Sequence, residues 1–170
     1  MVRINSFNVR RVLLDRGSSA DIIYGDAFDQ FGLTDKDLMP YTGTLVGFSG
    51  EQVWVRGYLD VDTVFGIDEN ANLLRVRYLV LQVIASYNVI IGRNTLNRLC
   101  AVISTAHLAV EYPLICGKVG KIVVDQRRAR ECYNNCLSMY GKKGVSDGHR
   151  CHKIEILEGS QGWSGVQGQG

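Results

Sequence analysis

No stretch of this sequence approaches the run of ~18 apolar residues that a membrane-spanning helix needs. The first residues also lack the apolar region of a secretory signal peptide. The cysteines are odd in number, so they do not form a complete disulfide framework, and we expect reduced thiols. These absences predict a protein of a reducing compartment, the cytoplasm, with no membrane partner. The five cysteines are Cys100, Cys116, Cys132, Cys136 and Cys151.

Strong net charge is absent as well. The formal net charge of the 170 residues is +2, which singles out no class of partner. Basic clusters at residues 10–11, 127–130 and 142–143 can be interpreted as nucleic-acid contacts or as solvated surface and linker, and we favour the second interpretation. Hydrophobic residues make up 46% of the chain, enough for one domain with a core.

Residue patterns favour an almost entirely β domain over residues 1–125. Only two short helices are expected, at residues 25–31 and 94–99, with one more candidate at residues 126–140. Residues 141–170 are rich in Gly, Ser and Gln, so we expect a flexible linker toward a missing downstream domain. Strands are predicted at residues 4–9, 12–14, 44–46, 53–64, 73–81, 89–91 and 102–110.

The first motif with chemical content is an apolar strand, residues 12–14, that runs into Asp15 and then into a turn of Arg16, Gly17, Ser18 and Ser19. A carboxylate beside a buried strand is costly unless it is paired or used chemically. The segment therefore predicts a functional acid, with an exposed aspartate in an ordinary β-turn as the alternative.

Two later segments bear on that choice. A glycine-flanked tip joins two stretches of strand-like composition, which predicts a hairpin. Farther along, a buried strand ends on a glycine and is followed by a short helix. The tip consists of Gly47, Phe48, Ser49 and Gly50, and the strand end of Ile90, Ile91, Gly92 and Arg93.

Together and in this order, the three motifs resemble the retropepsin family of aspartic proteases. They are most similar to the protease segment of plant gypsy-type LTR retrotransposon Gag-Pol polyproteins, and the resemblance covers roughly residues 3 to 135. It implies an all-β, closed acid-protease barrel with a flap hairpin, one or two short helices and a largely disordered C-terminal tail. It also implies an aspartic endopeptidase of the polyprotein, without cofactor or metal, in the cytoplasm or in virus-like particles.

Catalysis in this family needs two carboxylates that face one water molecule and share a proton. The chain contains a single Asp-x-Gly-Ser-Ser segment, so the second carboxylate would come from another copy in a two-fold homodimer. The expected partners are a second copy of the chain and a peptide substrate. Asp60 and Asp62 alternate with apolar residues and are predicted to face outward on a strand. Asp26, Asp29, Asp35 and Asp37 are predicted in solvated helix and turn positions.

The resemblance assigns roles only where residues match. Asp15 would be the catalytic carboxylate, Gly17 would let the backbone turn close to it, and the Ser18 hydroxyl would support its outer oxygen. The tip at residues 47–50 would be the flap over the substrate. The strand end at residues 90–93 would lie structurally behind the active site. Two interpretations, substrate subsites or core packing, stay open for Val80, Leu81, Val83 and Ile84.

Arg16 departs from the family pattern, which usually has Thr or Ser after the catalytic Asp. A guanidinium that points inward would lower the pKa of Asp15 and remove the shared proton, whereas one that points outward would leave the fold intact with weakened activity. The alternative function is therefore a catalytically inactive relic that acts as a folded or dimerisation module. A third, disfavoured alternative is a nucleic-acid-binding fragment.

The C-terminal cysteines and histidines can be interpreted as a zinc site. Cys132 and Cys136 are followed by His149, Cys151 and His152. Their spacing fits no common zinc finger, so we predict no metal.

Overall fold

The structure is a computed structural model that describes residues 1–47, 50, 52–140 and 157–158. Short strands dominate these ranges, with a few short helices between them. The strands are β1 (Val2–Ile4), β2 (Phe7–Val9), β3 (Val12–Leu14), β4 (Asp21–Tyr24), β5 (Leu45–Val46), β6 (Gln52–Val53), β7 (Gly57–Phe65), β8 (Asn72–Leu81), β9 (Val89–Ile91), β10 (Val102–Ser104), β11 (Ala109–Pro113), β12 (Val119–Val123) and β13 (Leu157–Glu158). The α-helices are α1 (Gly25–Gln30), α2 (Arg93–Arg98) and α3 (Gln126–Tyr140), and Asp35–Asp37 and Asp68–Asn70 form 3-10 helices.

Eight strands form one sheet in the order β13-β2-β1-β7-β8-β4-β9-β3, which makes a nearly closed barrel. Strands β10, β11 and β12 form a separate antiparallel sheet, and β5 and β6 pair only with each other. The expected fold class, an all-β retropepsin-like barrel with a hairpin and few short helices, is confirmed by this architecture.

The longest strands, β7 and β8, form the antiparallel hairpin at the centre of the sheet. Alternate residues of β7 are buried because successive side chains of a strand point to opposite faces. Asp60 and Asp62 lie on the other face and pair with Arg77 and Arg75 of β8 at 2.8 and 3.4 Å. The predicted outward orientation of these two aspartates is therefore confirmed.

The core is formed by the large sheet together with residues of α1, α2 and β11. Ile23 of β4, Phe28 of α1 and Val89 of β9 are fully buried there. One polar pair is buried among them, since the hydroxyls of Thr63 and Tyr78 lie 3.0 Å apart and satisfy each other. The burial of Tyr78 raises the pKa of its phenol. Strands β4, β8 and β9 thus form a rigid base for the loops at their ends.

Three predicted strands are wrong in their extent. Residues 4–9 contain a turn with Asn5 at φ +50°, and residues 102–110 contain another with Leu108 at φ +48°. The strand prediction ran through both turns because each has apolar residues on either side, although Asn5-Ser6 is itself a turn signal. Residues 53–64 are likewise interrupted at residues 54–56. Strands β4 and β12 were not predicted, because each is short and carries polar residues.

The three predicted helices are confirmed, with bounds one residue different for two of them. No helix within the described ranges has the length and apolar character needed to cross a membrane. Residues 141–156 and 159–170, where a flexible linker was predicted, lie outside the described residues. The zinc alternative falls there too, because it needs Cys151 and His149.

Candidate active site

Asp15 stands at the carboxyl end of β3, and the neighbouring strand holds its main chain in place. Strand β3 pairs in parallel with β9, with Leu14 opposite Ile91. The N–H of Asp15 donates to the carbonyl of Ile91 at 2.9 Å, which extends this pairing by one residue. A half-buried carboxylate is thereby presented from the end of β3, a half-buried strand that pairs with the largely buried β9.

The turn after Asp15 folds back onto its carboxylate. The N–H of Gly17 donates to Oδ1 of Asp15 at 2.8 Å, and the N–H of Ser18 donates to the Asp15 carbonyl at 3.3 Å. A Cβ at position 17 would lie 3.1 Å from Oδ1, so glycine permits this close approach. Within the described part of the chain, no other group donates to this carboxylate. Asp15 therefore keeps one oxygen, Oδ2, available to a ligand.

The start of α2 holds the rest of the turn. The N–H of Arg93 donates to the Ser18 carbonyl at 2.8 Å, and Nδ2 of Asn94 donates to the Ser19 carbonyl at 3.3 Å. A Cβ on Gly92 would lie only 2.3 Å from the carbonyl oxygen of Ala20, so only glycine allows the turn and the helix to approach this closely. The segment of residues 90–93 thus lies directly behind the Asp15 turn.

Asp21 is a residue of this site that the sequence analysis missed. Its side chain is 6% exposed, and its two oxygens accept hydrogen bonds from the Gly92 N–H at 2.7 Å and the Thr95 hydroxyl at 2.9 Å. Burial raises the pKa of Asp21, while both hydrogen bonds and the nearby charge of Arg98 oppose that rise. The available signal was a carboxylate at the first position of an otherwise apolar strand, a placement that requires partners.

The other residues of the turn are placed as follows. Ser18 donates its hydroxyl to the Ala20 carbonyl at 3.1 Å, so in the single chain it does not contact the carboxylate of Asp15. Arg16 and Ser19 are exposed. In the described part of the chain, Arg16 forms no ion pair with Asp15. This corresponds to the orientation in which the guanidinium points outward, away from Asp15.

The candidate flap is the β5–β6 hairpin. Leu45 pairs with Val53, and the N–H of Gly50 donates to the Gly47 carbonyl at 3.1 Å. Gly50 has φ +84°, a conformation that glycine adopts without strain. Phe48 and Ser49, also predicted for the tip, lie outside the described residues.

Of the four residues that could either line substrate subsites or pack in the core, two are buried and two are exposed. Val80 and Leu81 are buried in β8 and belong to the core. Val83 and Ile84 follow the strand and are exposed, with 48% and 59% of their surface accessible. Only the second pair is available to contact a substrate.

Comparisons with known proteins give a likeness to solved structures but no match among family models or curated proteins. Among solved structures, the chain is similar to the retroviral protease-like domain of Ddi1 from Leishmania major, with 17% sequence identity and a TM-score of 0.48. The match covers 74% of this chain and 92% of that one.

Proposed function

We propose that this chain is one half of a homodimeric aspartic endopeptidase and that Asp15 is its catalytic carboxylate. The observation that carries the proposal is the turn around Asp15. A carboxylate is presented from the end of β3, which pairs with β9, one of its oxygens is held by the Gly17 N–H, and the other has no donor in the described chain. An oxygen that is positioned but not saturated can bind and activate water.

In the proposed dimer, the two Asp15 side chains face each other across a two-fold axis. Two carboxylates this close cannot both ionise, so the pair holds one shared proton. The ionised member takes a proton from a water molecule, which attacks the peptide carbonyl, and the protonated member donates its proton to the carbonyl oxygen. The tetrahedral intermediate then collapses: the newly protonated carboxyl donates to the amide nitrogen, the other carboxylate takes a proton from a hydroxyl of the intermediate, and the C–N bond breaks, which restores the singly protonated pair. Water is the nucleophile and the two carboxyls supply acid and base.

The proposed substrate class rests on exposed apolar side chains of the hairpin and of the segment after β8. Val46 lies in β5, Trp54 follows β6, and Val83 and Ile84 follow β8. These apolar side chains suit a peptide with apolar residues around the bond that is cut. We propose a polyprotein substrate of a gypsy-type retrotransposon, the origin suggested by the sequence motifs, and a cytoplasmic location.

Arg16 supports a second candidate, the inactive relic. In a dimer, two guanidiniums would lie near the axis and would favour the ionised form of both Asp15 side chains. The exposure of Arg16 and its lack of an ion pair with Asp15 in the described chain favour the active form.

The deciding experiment is cleavage of a mixed peptide library at about pH 4–6, by the chain and by Asp15→Asn. The mass of the protein in solution is measured in parallel. Cleavage that is lost in Asp15→Asn and blocked by a statine-type inhibitor supports the endopeptidase. A folded dimer that cleaves nothing supports the relic.

A further inference from the structure

The described residues of the β5–β6 hairpin have few attachments to the rest of the chain. Its strands pair only with each other and belong to neither larger sheet. Two large apolar side chains of these residues, Val46 and Trp54, are 59% and 69% exposed. The attachments that the described residues do make lie where the two chain ends of the hairpin meet the barrel.

Both ends of the hairpin segment, residues 40–56, are held at one place. Met39, just before the segment, forms a two-way backbone bridge with Tyr58, at 2.8 and 2.9 Å. At the other end, the N–H of Arg56 donates to the Val80 carbonyl at 2.9 Å. Among the described residues of the segment, Arg56 makes the hydrogen bonds that reach the rest of the chain.

The side chain of Arg56 extends this attachment to three other elements. Its Nε lies 2.5 Å from Oδ1 of Asp35 in the 3-10 helix, and its Nη1 lies 3.2 Å from Oδ1 of Asp29 in α1. The same nitrogen donates to Oε1 of Gln82, just beyond β8, at 3.2 Å. The guanidinium also lies over the ring of Phe28, 5.0 Å from its centroid.

This arrangement uses properties that arginine alone combines. A planar guanidinium can address two carboxylates in different directions while it stacks on an aromatic ring. The Arg56 side chain is 21% exposed, whereas Asp29 and Asp35 are 56% and 73% exposed, so the cation is the most buried partner. The ion pairs with Asp35 and Asp29 raise the pKa of Arg56, and they persist as long as the carboxylates are ionised.

From this geometry we infer that Arg56 is a positioning residue, which fixes the β5–β6 hairpin relative to α1 and β8. The inference rests on the proposed function, in which this hairpin covers the substrate. Arg56 does not touch the reacting atoms in that scheme. Its effect on catalysis would be indirect, through the affinity for substrate.

The test compares Arg56→Gln with Arg75→Gln. Arg75 lies in β8 and also pairs with an aspartate, Asp62, at 3.4 Å. That aspartate is on the adjacent strand β7, so the pair does not involve the β5–β6 hairpin. Hydrogen exchange is measured for the amides of residues 44–55 and, as an internal reference, for those of β7 and β8. We expect exchange in residues 44–55 to be about fivefold faster in Arg56→Gln and unchanged in Arg75→Gln.

Two further variants examine the mechanism. Arg56→Lys keeps the charge but cannot bridge two carboxylates through a planar fork, so it should give intermediate exchange rates. Asp35→Asn removes the closer ion pair and should give a smaller, local increase than Arg56→Gln.

The outcomes are distinct. Faster exchange confined to residues 44–55 supports the inference. Unchanged exchange, or an equal increase throughout β7 and β8, overturns it, because a uniform increase indicates a general loss of stability. This readout needs no peptidase activity, so it stands even if the protein cleaves nothing and the proposed function fails.

Where cleavage is detected, kinetics add a second test. Arg56→Gln should raise KM about fivefold and lower kcat by less than about twofold, because the reacting groups are intact. A lower kcat with an unchanged KM would overturn the positioning role.

Discussion

The carboxylate of Asp21 accepts a 2.9 Å hydrogen bond from the hydroxyl of Thr95, although the two residues are 74 positions apart in the sequence. Its other oxygen accepts the N–H of Gly92 at 2.7 Å. One buried side chain thus joins the strand that follows the Asp15 turn to the helix that holds the turn. The candidate catalytic loop is therefore held in place by a residue to which the sequence analysis gave no role.

Replacement of Asp21 should be costly. Asp21→Ala leaves the Gly92 N–H and the Thr95 hydroxyl buried without an acceptor, so we expect a loss of about 2–4 kcal/mol in the free energy of unfolding. Asp21→Asn keeps an acceptor for Gly92 and should cost less, about 1 kcal/mol. Urea unfolding of the three proteins measures both. Equal losses in the two variants would contradict the role of the hydrogen bonds.

The raised pKa of Asp21 also predicts a pH dependence of stability. The folded chain holds the Asp21 proton to a higher pH than the unfolded chain, so this group favours folding most at low pH. Its contribution falls as pH rises from the ordinary value of about 4 through the raised value. The unfolding free energy of the wild type minus that of Asp21→Asn should therefore decrease from pH 3 to pH 7.

Asp60 provides a control of opposite sign. The hydrogen bonds from Arg77 lower the pKa of Asp60, so its contribution is present above the ordinary pKa and is lost as pH falls below it. The wild type minus Asp60→Asn difference should increase with pH in the acidic range. The same trend for both aspartates would refute the assignment for Asp21.

Gly92→Ala tests the close approach of the Asp15 turn to α2. The added Cβ would lie 2.3 Å from the carbonyl oxygen of Ala20. Because that oxygen belongs to the backbone and cannot rotate away as a side chain could, the turn must shift. We expect a loss of at least about 2 kcal/mol in unfolding free energy and a loss of any Asp15-dependent cleavage. Gly117→Ala is the control, because its Cβ would meet nothing within 4 Å and only its φ of +76° is strained. Its cost should be about 1 kcal/mol, without an effect on cleavage.

Arg16→Thr tests whether the guanidinium weakens the proposed catalytic pair. With the charge removed, two Asp15 carboxyls retain their shared proton more readily, and kcat/KM for peptide cleavage should rise about tenfold. Arg130→Thr removes the same charge from an exposed position on α3 and should change nothing. No gain in a dimeric Arg16→Thr protein would show that Arg16 is not the limiting residue.

The predictions that succeeded concern patterns confined to a few neighbouring residues. The strand at residues 12–14, the strand at residues 89–91 and the helix beginning near Arg93 all carry such signals, and all are found. The strand predictions were wrong where a single strand was predicted across a turn. Asn5 and Leu108 both adopt positive φ. Asn5 with Ser6 is a turn signal that the strand pattern overrode, whereas Leu108 gives little local indication of this conformation.

The sequence by itself determined the β character of the chain, the strand that leads into Asp15, the glycines of the hairpin and the strand that ends on Gly92. These features depend on side-chain alternation and on the conformational freedom of glycine, which act over short distances. Only the tertiary structure decided that Asp21 of β4 is buried against the start of α2. The same holds for Arg56, which joins the hairpin to Asp29 and Asp35. Hydrogen bonds and ion pairs between segments far apart in the chain form only once the barrel has brought those segments together. No local sequence pattern therefore predicts them.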